Sequence, residues 1–306
     1  MERRPLGTTD LELTPVGVGT APIGSGQDWP VFWGSQAVAD SIAAIHRALD
    51  LGVNWIDTAP FYGWGRAEEI VGQALDGRAD DLLVFTKCGT FPDEQGSRED
   101  LRPESVRAGV EASLERLRRE RLDLVQFHDV DAATPIEESW GELQALISEG
   151  KVRYGGISNH PAEAVERALA VGPVAALQYQ YSLLHRDHED DILPLAERLG
   201  IGVLAWSPLA SGFLADDFDL DALDPEDFRR RHPFAQLDLH SLRMTLRSIG
   251  ERHERRAAQV ALIWVLSHRA VAGAIVGIRN EREAEQLVGA ANLELTPDEL
   301  REIESA

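Results

Sequence analysis

Two kinds of apolar pattern alternate along the whole chain. Short runs rich in β-branched and aromatic residues are separated by longer stretches whose apolar positions recur every three or four residues. The short runs are VGVG (16–19), NWID (54–57), LLVFT (82–86), DLVQF (123–127), VRYGGIS (152–158), AALQ (175–178), GVLAW (202–206) and AIVGI (274–278), and they predict eight strands. The longer stretches predict helices at 38–52, 66–77, 103–119, 135–150, 161–172, 189–200, 239–253, 257–269 and 281–290. Pro103, Pro135 and Pro161 stand at helix starts, and Gly52, Gly77, Gly150 and Gly200 at helix ends. Strands that each lead into a helix imply a parallel sheet. In 306 residues a closed barrel accommodates eight of them better than an open doubly wound sheet does. The expected fold class is therefore α/β, a (β/α)8 TIM barrel filling residues 1–306 as one domain, with residues 3–13 forming a β-hairpin ahead of it. The glycine-rich GVGTAPIG (17–24) imitates a nucleotide loop, but its spacing is wrong for the dinucleotide fingerprint and no helix opens directly after it. Residues 215–234 form an irregular insertion after the seventh strand, and loops of that length are usually functional or mobile.

Charge narrows the partners. With 52 acidic against 30 basic residues the formal charge is -22, a field that disfavours nucleic acid and anionic membranes. Only Lys87 and Lys151 are lysines, a bias consistent with adaptation to high salt or with a codon preference for arginine. The single cysteine, Cys88, precludes an internal disulfide and a cysteine-rich zinc site. The start lacks an apolar core of signal-peptide length, and the longest apolar stretch, 257–266, is half a membrane span. A cytoplasmic location is expected.

In such a barrel the chemistry gathers at the C-terminal ends of the strands. Asp57 ends the second strand, with Tyr62 just beyond it. Lys87 follows the third, His128 the fourth, Ser158 and Asn159 end the fifth, Gln178 the sixth, and Trp206 and Ser207 the seventh. Singly, each of these has an ordinary structural explanation. A buried ammonium needs a carboxylate, however, and Asp57 is the natural one. Together the residues suit carbonyl reduction. Tyrosine is a weak acid, with an ordinary pKa of about 10, and an adjacent ammonium would lower it and ease proton donation. His128 would orient the carbonyl oxygen. None of these side chains can supply a hydride, so a nicotinamide cofactor is required. Ser158, Asn159 and Gln178 suit its carboxamide, and Trp206 offers a flat face for stacking. Arginine would replace Lys87 poorly, because guanidinium is broad and planar where ammonium is a compact charge. Trp29, Trp33, Phe61 and Trp64 predict an aromatic substrate wall. No metal ligand set is evident: His185 and His188 lack a third partner. The run RRRH (229–232) reads as a solvated charge cluster, and Cys88 as a small barrel residue.

The stretches 54–75, 85–89, 123–129, 150–160, 203–214 and 276–286 resemble the aldo-keto reductase family over nearly the whole length, in a form similar to its bacterial and channel-β-like branch. The resemblance implies that Asp57, Tyr62, Lys87 and His128 are a catalytic tetrad with Tyr62 as the acid. It implies bound NADP(H), with Ser207, Leu209 and Gly212 along the diphosphate and Gly277, Arg279, Glu283 and Gln286 at the adenosine end. Glu283 and Leu287 depart from the residues usual there. NADP(H) is the expected cofactor because Arg279 can pair with a phosphate, and NAD(H) is the alternative because Glu283 suits a ribose hydroxyl. A cofactor-binding regulatory module is the second functional class that the resemblance leaves open.

Overall fold

A computed structural model describes residues 2–26, 29–78, 82–288 and 293–306. The chain opens with a hairpin of β1 (Arg4–Pro5) and β2 (Glu12–Leu13). Strands β3 (Val16–Gly19), β4 (Trp55–Asp57) and β5 (Leu83–Cys88) follow, and then a second hairpin, β6 (Thr90–Asp93) with β7 (Gly96–Glu99). Strands β8 (Leu122–Phe127), β9 (Val152–Ser158), β10 (Ala176–Gln180), β11 (Gly202–Trp206) and β12 (Val271–Gly277) complete a closed barrel of eight strands, ordered β3-β4-β5-β8-β9-β10-β11-β12. The connections are α1 (Val38–Asp50), α2 (Arg66–Ala74), α3 (Pro103–Leu117), α4 (Ile136–Ser148), α5 (Ala162–Leu169) and α6 (Ile192–Leu199). After the insertion come α7 (His240–Arg252) and α8 (Ala257–Ser267), and beyond the barrel α9 (Glu281–Val288) and α10 (Pro297–Glu304). The fold is thus a (β/α)8 TIM barrel with an N-terminal hairpin. The last residues of the helix expected at 281–290 lie outside the described residues.

Two elements were not legible as patterns. The β6–β7 hairpin packs little of its surface, so its strand TFPD shows no apolar alternation. Helix α10 is mostly polar, burying Glu299 and Ile303. Its signal was a capping box, in which Thr296 accepts from the Glu299 backbone and Glu299 returns the bond. Among the described residues, no helix is long and apolar enough to cross a membrane.

Side chains in a strand alternate between faces, and the strand register shows what the barrel interior contains. Inward positions run Trp55 then Asp57 on β4, Leu83, Phe85 then Lys87 on β5, and Leu124 then Gln126 on β8. Across from these stand Gly156 and Ser158 on β9, Ala176 and Gln178 on β10, and Leu204 and Trp206 on β11. The lower layers are apolar, joined by Leu6, Leu11 and Leu13 from the hairpin region into one cluster with Trp55, Phe85, Leu124 and Leu204. Polarity begins one layer from the top. Gly17 belongs to this packing, since a Cβ there would stand 2.2 Å from the Trp55 indole. Gly17 thus answers to the core, while Gly19, Thr20, Ala21 and Pro22 of the same glycine-rich segment line the cavity at the barrel mouth.

Candidate active site

A cavity of about 780 Å³ opens at the C-terminal end of the barrel, lined by Asp57, Tyr62 and His128. Lys87 lies just beneath, 1 % exposed. Its Nζ donates to Asp57 Oδ1 at 2.5 Å, to the Thr58 carbonyl at 3.1 Å and to the Tyr62 hydroxyl at 3.2 Å. Three acceptors match the three donors of an ammonium, which a fork-shaped guanidinium would not fit. Burial pulls the Lys87 ammonium down, but the Asp57 carboxylate and the Tyr62 oxygen more than offset this, and its pKa lies above the ordinary value. The lysine stays charged. Tyr62 differs from the expectation. Burial pushes its phenol up and Lys87 pulls it down, and burial prevails, so the net shift is upward. Lys87 lowers this pKa only relative to a phenol buried without it. His128 is held well below its ordinary range, by burial first and by Lys87 second, and is therefore neutral at pH 7. Its ring meets Tyr62 edge-on at 5.8 Å, and Nδ1 is buried with no hydrogen-bond partner among the described residues.

Backbone approach fixes Tyr62. A Cβ on Gly24 would stand 2.6 Å from the Tyr62 carbonyl oxygen, and one on Gly63 would stand 2.0 Å from the Gly24 oxygen. Gly63 adopts φ 62°, which suits glycine. The two turns can lie back to back only because both positions lack side chains. A second restraint was invisible in the sequence. Glu68, fully buried in the first turn of α2, accepts from Thr86 Oγ1 at 2.6 Å and from Arg116 Nε at 2.6 Å. It ties the segment after Tyr62 to the residue before Lys87.

The expected cofactor-contact residues Ser158, Asn159, Gln178, Trp206, Ser207 and Leu209 all line the same cavity. So do Gly212, Gly277, Arg279, Glu283 and Gln286. Ser158 Oγ is buried without a hydrogen-bond partner among the described residues. Gln178 donates from Nε2 to Asp57 Oδ2 at 2.8 Å, so one end of its amide already serves the carboxylate. Asn159, in a left-handed conformation of φ 57°, donates to the His128 carbonyl at 3.0 Å and accepts from Trp206 Nε1 at 3.2 Å. Left-handed backbone recurs at Ser207, Ala210, Ser211 and Gly212, where Ser207 Oγ accepts from the Ser211 amide at 2.8 Å. Such strain outside glycine accumulates at functional loops. At the far end, Glu283 accepts from the Arg279 backbone amide at 2.8 Å, and the Arg279 guanidinium turns to Gln36 Oε1 and the Ser35 carbonyl.

Trp29, Trp33 and Phe61 line the cavity, and Trp64 does not: it packs edge-on against Phe61 at 5.3 Å. Its position in the chain beside Tyr62 suggested the wall, but the left-handed turn at Trp64 (φ 56°) takes it out of line. Arg229 corrects the reading of RRRH as a solvated cluster. It is 8 % exposed, doubly bonded to Asp227, and stacks over Trp33 at 4.9 Å as part of the cavity wall. Phe228 joins the insertion to the segment around Trp33 through a bond from its amide to the Phe32 carbonyl, which charge counting could not reveal. Thr90, Ser97 and Glu99 of the unexpected hairpin also line the cavity. Cys88 is buried and its thiol is pushed up to about 12, which leaves it unreactive.

Comparison with known proteins agrees with this fold. A curated relative called "Probable aldo-keto reductase 1", from Glycine max, is 34% identical over 309 residues, covering 97% of this chain and 86% of that one. The solved structure of a glycerol dehydrogenase from Gluconobacter oxydans superposes with a TM-score of 0.88 at 34% identity, over 99% of this chain and 94% of that one. An aldo-keto reductase from Bacillus halodurans, in its holo form, gives 0.81 at 28% identity, over 100% and 96% of the two chains. Residues 15–306 match the model described as "Aldo/keto reductase family". With that span matched, the chain belongs to the aldo/keto reductase family, whose oxidoreductases act on carbonyl groups.

Proposed function

We propose that this protein is a cytoplasmic NAD(P)H-dependent oxidoreductase that reversibly reduces an aldehyde, ketone or sugar carbonyl within a single barrel domain, residues 1–306. The observation that carries this reading is the buried Lys87 ammonium, held between Asp57 and the Tyr62 hydroxyl at the floor of a cavity. The nicotinamide, when bound, supplies the hydride. The donor set fits it: Ser158 Oγ lacks a partner among the described residues, and Trp206 lines the same cavity. Ser158, Asn159 and Gln178 would hold the carboxamide, Ser207, Leu209 and Gly212 the diphosphate, and Gly277, Arg279, Glu283 and Gln286 the adenosine end. NADP(H) is preferred, with Arg279 on the 2′-phosphate, and NAD(H) is the alternative because Glu283 sits at the same end.

Tyr62 donates its proton to the carbonyl oxygen as negative charge develops there. Its raised pKa keeps the acid form loaded at neutral pH, and Lys87 stabilises the phenolate only as it appears, which is differential stabilisation of the transition state. Asp57 keeps the ammonium charged. Neutral His128 offers one N–H to the substrate oxygen and orients it. The glycerol dehydrogenase named above supports a carbonyl paired with an alcohol as substrate and product.

Tyr62→Phe is the test. Turnover of a model aldehyde should fall by at least about a hundredfold, as for loss of a general acid, while cofactor binding, followed by quenching of tryptophan fluorescence, persists. A wild type that binds cofactor yet reduces no carbonyl in a broad panel favours the regulatory-module reading instead.

A further inference from the structure

Glu99 lies at the end of the β6–β7 hairpin with no role in the chemistry above. It lines the same cavity as Tyr62 and His128. One of its carboxylate oxygens accepts from Thr90 Oγ1 at 2.7 Å, across the register pair Thr90↔Glu99. The hairpin leaves β5 directly after Cys88, whose carbonyl accepts from the His128 amide at 3.0 Å, so Glu99 belongs to the His128 side of the cavity. Asp129 lines the cavity beside it.

No cation among the described residues neutralises this side chain. Among the described residues Glu99 takes part in no ion pair, and Arg98 and Arg102 both bind Asp100 instead. Burial pushes its carboxyl up to about 7, Thr90 pulls it down, and Asp129 and Asp131 push it up further. In its ionised form such a group gains from any ligand that brings a hydrogen-bond donor and loses to any ligand that brings negative charge. The cavity also offers a donor. Trp29 is 3 % exposed, lines the cavity and meets Tyr62 edge-on at 6.1 Å, and its Nε1 has no hydrogen-bond partner among the described residues. A hydroxyl can serve either group, donating to the carboxylate or accepting from the indole. An alkyl group can do neither, and a carboxylate can only accept.

We propose that Glu99 is a specificity-determining residue, selecting carbonyl substrates that carry a hydroxyl near the carbonyl and rejecting those that carry a carboxylate. This rests on the carbonyl-reducing reading and deepens it.

The experiment compares kcat/KM for glyceraldehyde, propanal and succinic semialdehyde in wild type and in Glu99→Gln, with melting curves to confirm folding. In wild type glyceraldehyde should exceed succinic semialdehyde by at least about tenfold, the weight of one charge-assisted hydrogen bond. In Glu99→Gln the ratio of glyceraldehyde to propanal should fall about tenfold, and that of succinic semialdehyde to propanal should rise by a similar factor. Ratios in Glu99→Gln equal to those of wild type overturn the inference while leaving carbonyl reduction intact. A wild type that prefers succinic semialdehyde overturns it even if the variant fails to fold. A wild type that reduces none of the three and no other aldehyde removes the functional reading, and this inference with it.

Discussion

The ammonium of Lys87 stands 3.2 Å from the hydroxyl of Tyr62. It also shares a bond of 2.5 Å with Asp57, and both members of that ion pair are almost wholly buried. Removing one partner of such a pair leaves a naked charge and costs about 3–5 kcal/mol. Lys87→Arg avoids that penalty, because the charge is kept and only the shape changes. The variant should fold and bind cofactor, yet lose turnover by about a hundredfold or more, since a planar fork cannot serve the carboxylate, the Thr58 carbonyl and the phenol together. Steady-state kinetics beside circular dichroism and cofactor titration check this. Near-normal turnover would remove Lys87 from the proposed chemistry.

Asn159 bridges the His128 carbonyl and the Trp206 indole from a left-handed backbone. Asn159→Gly keeps that conformation at little cost while deleting both bonds. Cofactor affinity should fall about tenfold, as expected for two bonds of modest net worth, with little change in melting temperature. Unchanged affinity in a fluorescence titration would mean that Trp206 needs no such brace.

Glu283 holds the Arg279 amide at the end of the cavity assigned to the adenosine. Glu283→Arg should move the ratio of kcat/KM for NADPH over NADH upward by about tenfold or more, and Arg279→Ala should move it down, since a guanidinium pairs with a phosphate through charge-assisted bonds. Measuring both coenzymes in the three proteins is sufficient. Opposite signs would reverse the proposed preference.

Glu99 also has a consequence for stability. Its folded pKa is raised to about 7 from an ordinary 4.5, so the folded state binds the proton more tightly than the unfolded chain does. The associated stability is fully present below pH 4.5 and is lost as pH rises through 7. Glu99→Gln has no proton to lose. Relative to wild type it should therefore melt higher at pH 8 than at pH 5, by an extra few degrees at most. Parallel melting curves at the two pH values with no difference in offset would count against the assignment.

Much of this was legible in the chain. Asp57 and Lys87 are polar residues terminating apolar inward rows, Gln178 follows Ala176 in its own, and a two-residue period with a strand count suffices to align them. What escaped depends on contacts between distant segments. Glu68 reads as an ordinary first-turn acid of a helix until Thr86 and Arg116 close around it. Arg229 sits in a run of three arginines, and nothing local separates it from Arg231, which stays exposed. Lys151 bridges Glu111 and Glu149 at the surface, a task for which any cation would serve and which the sequence does not announce. The β6–β7 hairpin escaped because its order comes from backbone pairing and its value from which cavity it faces.

The hairpin β1–β2 closes the opposite end of the barrel. Leu6 and Leu11 enter the interior, and Asp10 is gripped from β9 by Arg153 at 2.6 Å and by Tyr154 at 2.7 Å. The barrel is therefore a stoppered vessel, filled from one mouth only. Alterations to the stopper should be felt as changes in the vessel's durability and not in what it converts, so an appendage fused ahead of Arg4 emerges as far from the working mouth as the fold allows. Changes around the mouth, in turn, leave the stopper's grip intact, which gives the rim freedom to adopt new substrates without loosening the fold beneath it.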